Sequence, residues 1–298
     1  MLRPIRAKMF ASKSKDHQQT DRAMVDEEKL LSSDADLRAE RQALPSSSSP
    51  APRHLTKPKP EPEPDGDGVE EKVENDEPVP FRYIPVVMQG NKQVPTTDSA
   101  ALVDEIGGLP SLLGMTSSFY DKAFQDATLD RFIRSHADPH GERFSKWIHA
   151  KLTGSDVWNE DRRARVHEPV HDRTSAHVAA WHSPKRPASE RGRHFKLDEC
   201  RVWMRLHFWA LRDAIGETTS PSFVDFYVRF IGHFIRVYEG AAPAFARDSY
   251  RWSADRKNIS EYIKNGRKMR DVLGLSLSEA LGQIPEEEAT DNVWPYDA

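Results

Sequence analysis

The chain has 298 residues, 43 Lys and Arg against 47 Asp and Glu, and a formal net charge of −4. So balanced a charge offers no global electrostatic case for a nucleic-acid partner, and no apolar run reaches the roughly 18 residues of a membrane span, so neither a nucleic acid nor a membrane is expected as a partner. Cys200 is the single cysteine, which excludes an intrachain disulfide framework and a cysteine-based zinc finger, fits a reducing compartment, and makes the cytoplasm the expected location.

Residues 1–80 contain hardly any aromatics and read as a disordered extension. They hold the serine run Ser46–Ser49, the proline-rich stretch Pro50–Pro64 and the acidic stretch Asp65–Glu77. Such a composition buries too little apolar surface to offset the entropy of ordering. Glu27–Leu44 reads at most as a transient helix. Met1–Lys15 is basic and lacks acids, which fits either an ordinary disordered start or an organelle-targeting pattern.

Aromatics recur from Phe81 onwards, and about 200 residues suffice for one sizeable core. A helical region opens at Asp98–Asp104, and Gly107, Gly108 and Pro110 punctuate it. Leu112, Leu113, Phe119, Tyr120, Ala123 and Phe124 then recur at helical spacing. Asp126–Phe132 reads as a helix end and turn. Gly141–Leu152 carries an apolar stripe of Phe144, Trp147, Ile148 and Leu152, with Gly154 as its stop. Residues 155–172 read as polar and irregular. Ser175–Trp181 is a short helix with Thr174 or Ser175 as its cap, followed by a loop through Pro184, Pro187 and Gly192. Asp198 caps Glu199–Ile215, which is apolar most of the way round and therefore central. Pro221 opens Ser222–Glu239, and a last helix covers Asn258–Val272. No alternating strand stands out, so the expected fold class is all-α, with helices around a buried centre.

Ten of the twelve histidines lie between His136 and His233. Imidazole binds metals and titrates near neutral pH, so each candidate is weighed against a plainer role. The Phe119-Tyr120 pair reads as core, although a tyrosine hydroxyl beside a buried phenylalanine is able to donate to a small ligand. His140 lies one turn before Phe144 and reads either as part of a site or as a solvated helix start. His171 and His177 are six apart and do not share a helix face. His177 does share a face with Ala180 and Trp181. One histidine on a small apolar platform suits a single axial haem ligand, with Ala176, Ala179 and Ala180 admitting a flat macrocycle and Trp181 walling it. The alternative is a buried, hydrogen-bonded core histidine. Trp203 sits in the central helix, either as a core residue or with its N–H towards a ligand. Arg201 and Arg205 are within reach of a carboxylate such as a propionate, or else form a solvated face.

Taken in order, these pieces resemble the truncated, two-over-two haemoglobin family, closest to its second group. The likeness covers about Asp104–Ile215. Ile106-Gly-Gly, Phe119-Tyr120, Asp126, Leu129 and Phe132 resemble the family's start; Trp158-Asn-Glu-Asp-Arg resembles the segment leading to its proximal helix; Phe195-Lys-Leu and Glu199-Cys-Arg-Val-Trp203-Met-Arg resemble its second-group tryptophan segment. The resemblance implies a globin-like domain over 95–245 with a helical extension over 246–298, and a haem b held by a proximal histidine. It places Tyr120 as distal tyrosine, Phe144 and Trp147 on the distal helix, His140 at the distal gate, Phe132 as closing aromatic, and Trp203 beside bound ligand. The implied ligands are O2, NO or CO. Ligand sensing, scavenging, NO dioxygenation or oxygen transport are the implied roles, with a separate reductase where turnover is redox.

Two departures bear on the iron ligand. Thr153-Gly154 stands where the family has a second Gly-Gly, and the interval from Trp158 to Trp203 is longer than usual. Counting without gaps from the distal helix lands on His171, whereas a rigid apolar mount selects His177, which is preferred. Two other readings compete. His171-Asp172 is the dipeptide of HD-type non-haem metal hydrolases. A helical interaction module with an empty globin-like pocket is the third.

Overall fold

Glycines and prolines set several of the element boundaries in this computed structural model, which describes residues 79–90, 92–216 and 220–285. Apart from its last two positions, the extension expected over 1–80, with the basic start and the Glu27–Leu44 helix, lies outside the described residues.

A small antiparallel ladder, which the sequence did not suggest, joins Met88–Gln89 (β1) to Lys92–Gln93 (β2). Gly90, at φ +60°, turns the chain beside it. Helix α1, Thr97–Glu105, begins at Thr96, whose hydroxyl accepts the Ser99 N–H in a reciprocal capping box. Gly107 (φ +90°) and Gly108 (φ +72°) separate α1 from α2, Gly108–Gln125, in a left-handed geometry that other residues rarely adopt.

Helix α3, His140–Thr153, crosses α2 closely. A Cβ on Gly141 would lie 3.1 Å from the Ser117 backbone, and the Thr116 hydroxyl donates to the Gly141 carbonyl at 2.8 Å. Gly154, at φ +76°, ends α3 as expected. Residues 155–172 are less irregular than the sequence suggests, because Val157–Ala164 forms α4. That helix buries none of its residues, so no apolar stripe announces it. It is anchored instead through Asp161, which pairs with Lys146 of α3 at 2.9 Å.

Helix α5, Arg173–Trp181, starts two residues earlier than expected. Asp172, not Thr174 or Ser175, is its cap: the Asp172 carboxylate accepts the Ser175 N–H at 2.7 Å. Helix α6, Leu197–Ala214, also starts earlier, so Asp198 lies in the first turn and Lys196 is the cap. Helix α7, Pro221–Ile235, is capped by Ser220 and stops four residues short of Glu239. Beyond it lie α8 (Ala246–Trp252), α9 (Arg256–Lys264) and α10 (Leu277–Leu281). The last expected helix ends at Lys264 rather than Val272, because Gly266 and Arg267 take left-handed backbone.

The described part of the chain is all-α apart from the two short strands. Helix α2 packs along both α3 and α6, while α7 and α8 pack on α6 and α1 bridges α3 and α7. Two apolar clusters fill the interior, and Trp203 packs against both. From Glu199 to Leu211 every residue of α6 is buried except Trp203 and Trp209, so α6 is the central helix.

Arg201 and Arg205 answer neither sequence reading. Arg201 is 1 % exposed, lies 4.5 Å above the Phe245 ring, and bonds to Gln283 at 3.0 Å. Arg205 pairs with Asp271 at 2.5 Å, and both guanidinium groups approach Asp248. They tie the segment beyond residue 245 to α6. None of the described helices is long and apolar enough to cross a membrane.

Candidate functional site

Beside Trp203 the interior is not filled. A cavity of about 260 Å³ opens there, about twenty times the space that one water needs. Helix α2 contributes Phe119, Tyr120 and Ala123; α3 contributes His140, Arg143, Phe144 and Trp147; α5 contributes Ala176, His177, Ala179 and Ala180. Glu199, Cys200 and Trp203 of α6, Ile231, Phe234 and Ile235 of α7, and Phe132, Phe195 and Tyr238 complete the wall. Phe144, Phe195, Trp203 and Phe234 pack on the core yet keep part of their surface, because it faces this space.

Seven of the eight candidate residues meet in this cavity: Tyr120, Phe132, His140, Phe144, Trp147, Trp203 and His177. His171 does not line it. It precedes the α5 cap, with Nδ1 3.0 Å from the Glu168 carbonyl and Nε2 4.0 Å from the Asp172 carboxylate. Trp181, expected to wall the site, stacks on His194 at 4.3 Å instead.

His177 occupies the middle of α5, on the alanine-lined face. Burial first, and then the charge of Arg173, push its pKa down to about 3, so its ring is neutral at neutral pH with one basic nitrogen. Nδ1 lies 3.0 Å from the Tyr238 hydroxyl, and Nε2 has no partner among the described residues. The ring is further fixed edge-on against Phe195 at 5.7 Å.

Tyr120 stacks on His140 with centroids 5.0 Å apart. Burial pushes its pKa up to about 12, so it remains a phenol. Its hydroxyl has no hydrogen-bond partner among the described residues, and neither has the Trp203 indole N–H. His140 is oriented differently. Its Nε2 lies 2.9 Å from the Ser135 carbonyl, which only accepts, so Nε2 carries the proton and Nδ1 the lone pair. Burial holds the Cys200 thiol well above its ordinary pKa and also raises that of Glu199. Cys200 therefore presents a thiol rather than a thiolate.

Behind Trp203, His207 stacks on the indole at 4.5 Å and shares a 2.9 Å hydrogen bond with Tyr227. Arg134, Arg143, Arg165 and Arg173 also line the cavity. Arg143 pairs outward with the half-exposed Glu168 at 2.9 Å.

Sequence reasoning missed Tyr238 and Phe119 as partners of the site residues. Tyr238 reads as one more apolar-face position of a long helix, and no local pattern relates it to His177, 61 residues earlier. Phe119 was visible, but only as core.

Among the described residues no three His, Cys, Asp or Glu side chains come together so as to hold a metal ion. Comparisons with family models, with curated proteins and with solved structures gave no match.

Proposed function

We propose that the cavity binds haem b and that the protein is a globin of the truncated type, binding O2, NO or CO. One observation carries the reading. A neutral, helix-mounted imidazole shares an apolar, aromatic-walled cavity with an unpartnered tyrosine hydroxyl and an unpartnered indole N–H.

The donor set suits one axial bond. His177 offers a basic ring nitrogen on the alanine-lined face of its helix, whereas Cys200 is a protonated thiol and the His140 ring is stacked on Tyr120. His177 would therefore hold the iron in preference to His171, which lies off the cavity. The small side chains of Ala176, Ala179 and Ala180 leave room for a flat ring, and Phe144, Trp147, Phe132 and Trp203 supply apolar walls. The arginines lining the cavity complement the macrocycle's carboxylates.

Bound haem would supply a ferrous iron able to take a diatomic ligand. The chain's part is to orient and to hold protons. Tyr120 keeps its phenolic proton throughout the physiological range and donates it as a hydrogen bond. Trp203 offers its indole N–H, and the His207 stack fixes that ring. Such donors favour a polarised ligand and slow its release, which suits scavenging, sensing or NO dioxygenation better than transport. Redox turnover needs a separate reductase.

An HD-type hydrolase needs several ligands on one metal, and the described residues bring no such group together. The alternative of an interaction module with an empty globin-like pocket draws no support from side chains filling the space between Phe144, His177 and Trp203, since these residues line an open cavity. The test is titration of purified protein with hemin. A one-to-one Soret band that shifts on reduction and again with CO is expected; no Soret band ends the haem reading.

A further inference from the structure

The end of α7 carries a feature that the globin resemblance does not assign. The helix stops at Ile235, and the next residues tighten into a turn in which the Tyr238 N–H donates to the Ile235 carbonyl at 2.9 Å. From this turn the phenol reaches α5, with the hydroxyl 3.0 Å from His177 Nδ1. The ring is set edge-on against the imidazole at 4.8 Å and against Phe195 at 5.7 Å, so its approach is packed from two sides.

We infer that Tyr238 is a positioning residue for His177, accepting the Nδ1 proton and so presenting Nε2 to the cavity as the metal-binding nitrogen. The contact is independent of the haem reading, but its direction rests on that reading, since only an Nδ1–H leaves Nε2 free for iron. A neutral imidazole has one N–H and one lone pair, and the hydrogen bond at one nitrogen settles which is which. A phenol is able to donate or accept. If Tyr238 donates, Nδ1 holds the lone pair and Nε2–H faces the cavity, where it cannot bind a metal. If Tyr238 accepts, Nε2 is free to bind. An outer partner of this kind orients a ligating histidine and raises its basicity. A neutral phenol oxygen is a weaker acceptor than a carboxylate, so it polarises the imidazole moderately.

Two measurements test this, one without haem. In ligand-free protein labelled with 15N in its histidine rings, long-range proton–nitrogen spectra should place the His177 proton on Nδ1. In Tyr238→Phe, which keeps the ring packing, the signal should move towards the Nε2–H form. In the hemin-loaded proteins, Tyr238→Phe should lower the iron–histidine stretching frequency in the ferrous resonance Raman spectrum and raise the iron reduction potential. It should also weaken hemin binding by about tenfold. An Nε2–H form of His177 in the ligand-free wild type overturns the inference, as does an unchanged stretching frequency and potential in Tyr238→Phe. A protein that shows Nδ1–H but never a Soret band would leave the Tyr238 pairing standing and end the haem reading alone.

Discussion

At the scale of single residues, the Tyr120 hydroxyl is the group whose chemistry is least explained by stability. It is protonated, has no hydrogen-bond partner among the described residues and lies on the cavity wall. A ligand that accepts from it gains a hydrogen bond. Tyr120→Phe should therefore speed O2 release from the reconstituted ferrous protein by about tenfold, measured by stopped-flow displacement with CO; an unchanged rate would remove Tyr120 from ligand binding. His207 allows a pH prediction. Burial pushes its pKa down to about 3, against about 6.5 in an unfolded chain. Below about pH 6.5 the unfolded state takes up a proton that the folded state refuses, so this contribution to stability is whole above that pH and declines as pH falls towards 3. Between pH 6.5 and 5 the loss is about 2 kcal/mol. His207→Gln should flatten the fall of the urea midpoint with acid; equal slopes in both proteins would contradict it. That Tyr120, Trp203 and His177 share one cavity wall follows a pattern legible in the sequence, since each sits at helical spacing among apolar neighbours. The His207–Tyr227 and His177–Tyr238 pairs were not legible, because side-chain pairing between distant helices leaves no trace in local periodicity.

At the scale of elements, α5 is short, buries none of its residues fully and yet carries His177. Its stability leans on the Asp172–Ser175 capping box. Asp172→Ala should cost about 1 kcal/mol in urea unfolding and weaken hemin binding more than it weakens the fold; a fold loss with unaltered hemin affinity would separate α5 from the site. On the far side of α6, Asp248 approaches both buried arginines. Asp248→Ala leaves Arg201 with a buried charge and should cost about 3–5 kcal/mol. A loss below about 1 kcal/mol would show that Gln283 and Asp271 suffice. Apolar stripes made α2, α3, α6 and α7 readable from sequence. Helix α4 has none, and the early end of α7 follows from a tight turn that no residue type announces. The caps of α5 and α6 were misplaced for a related reason: several polar residues stand together before each helix, and only geometry selects among them.

At the scale of the molecule, α2, α3, α5, α6 and α7 meet around a space that none of them fills. The all-α class was legible because helical spacing dominates the chain. The cavity was not, since a void is a property of several helices at once. A ligand that binds only the folded state raises stability by mass action, so hemin in excess should raise the unfolding temperature of wild type. The most direct test of the account compares absorption spectra, ferric, ferrous and ferrous–CO, of hemin-reconstituted wild type, His177→Ala and His171→Ala. His177→Ala should lose the histidine-ligated haem signature while His171→Ala should keep it. Loss in His171→Ala with retention in His177→Ala would contradict it.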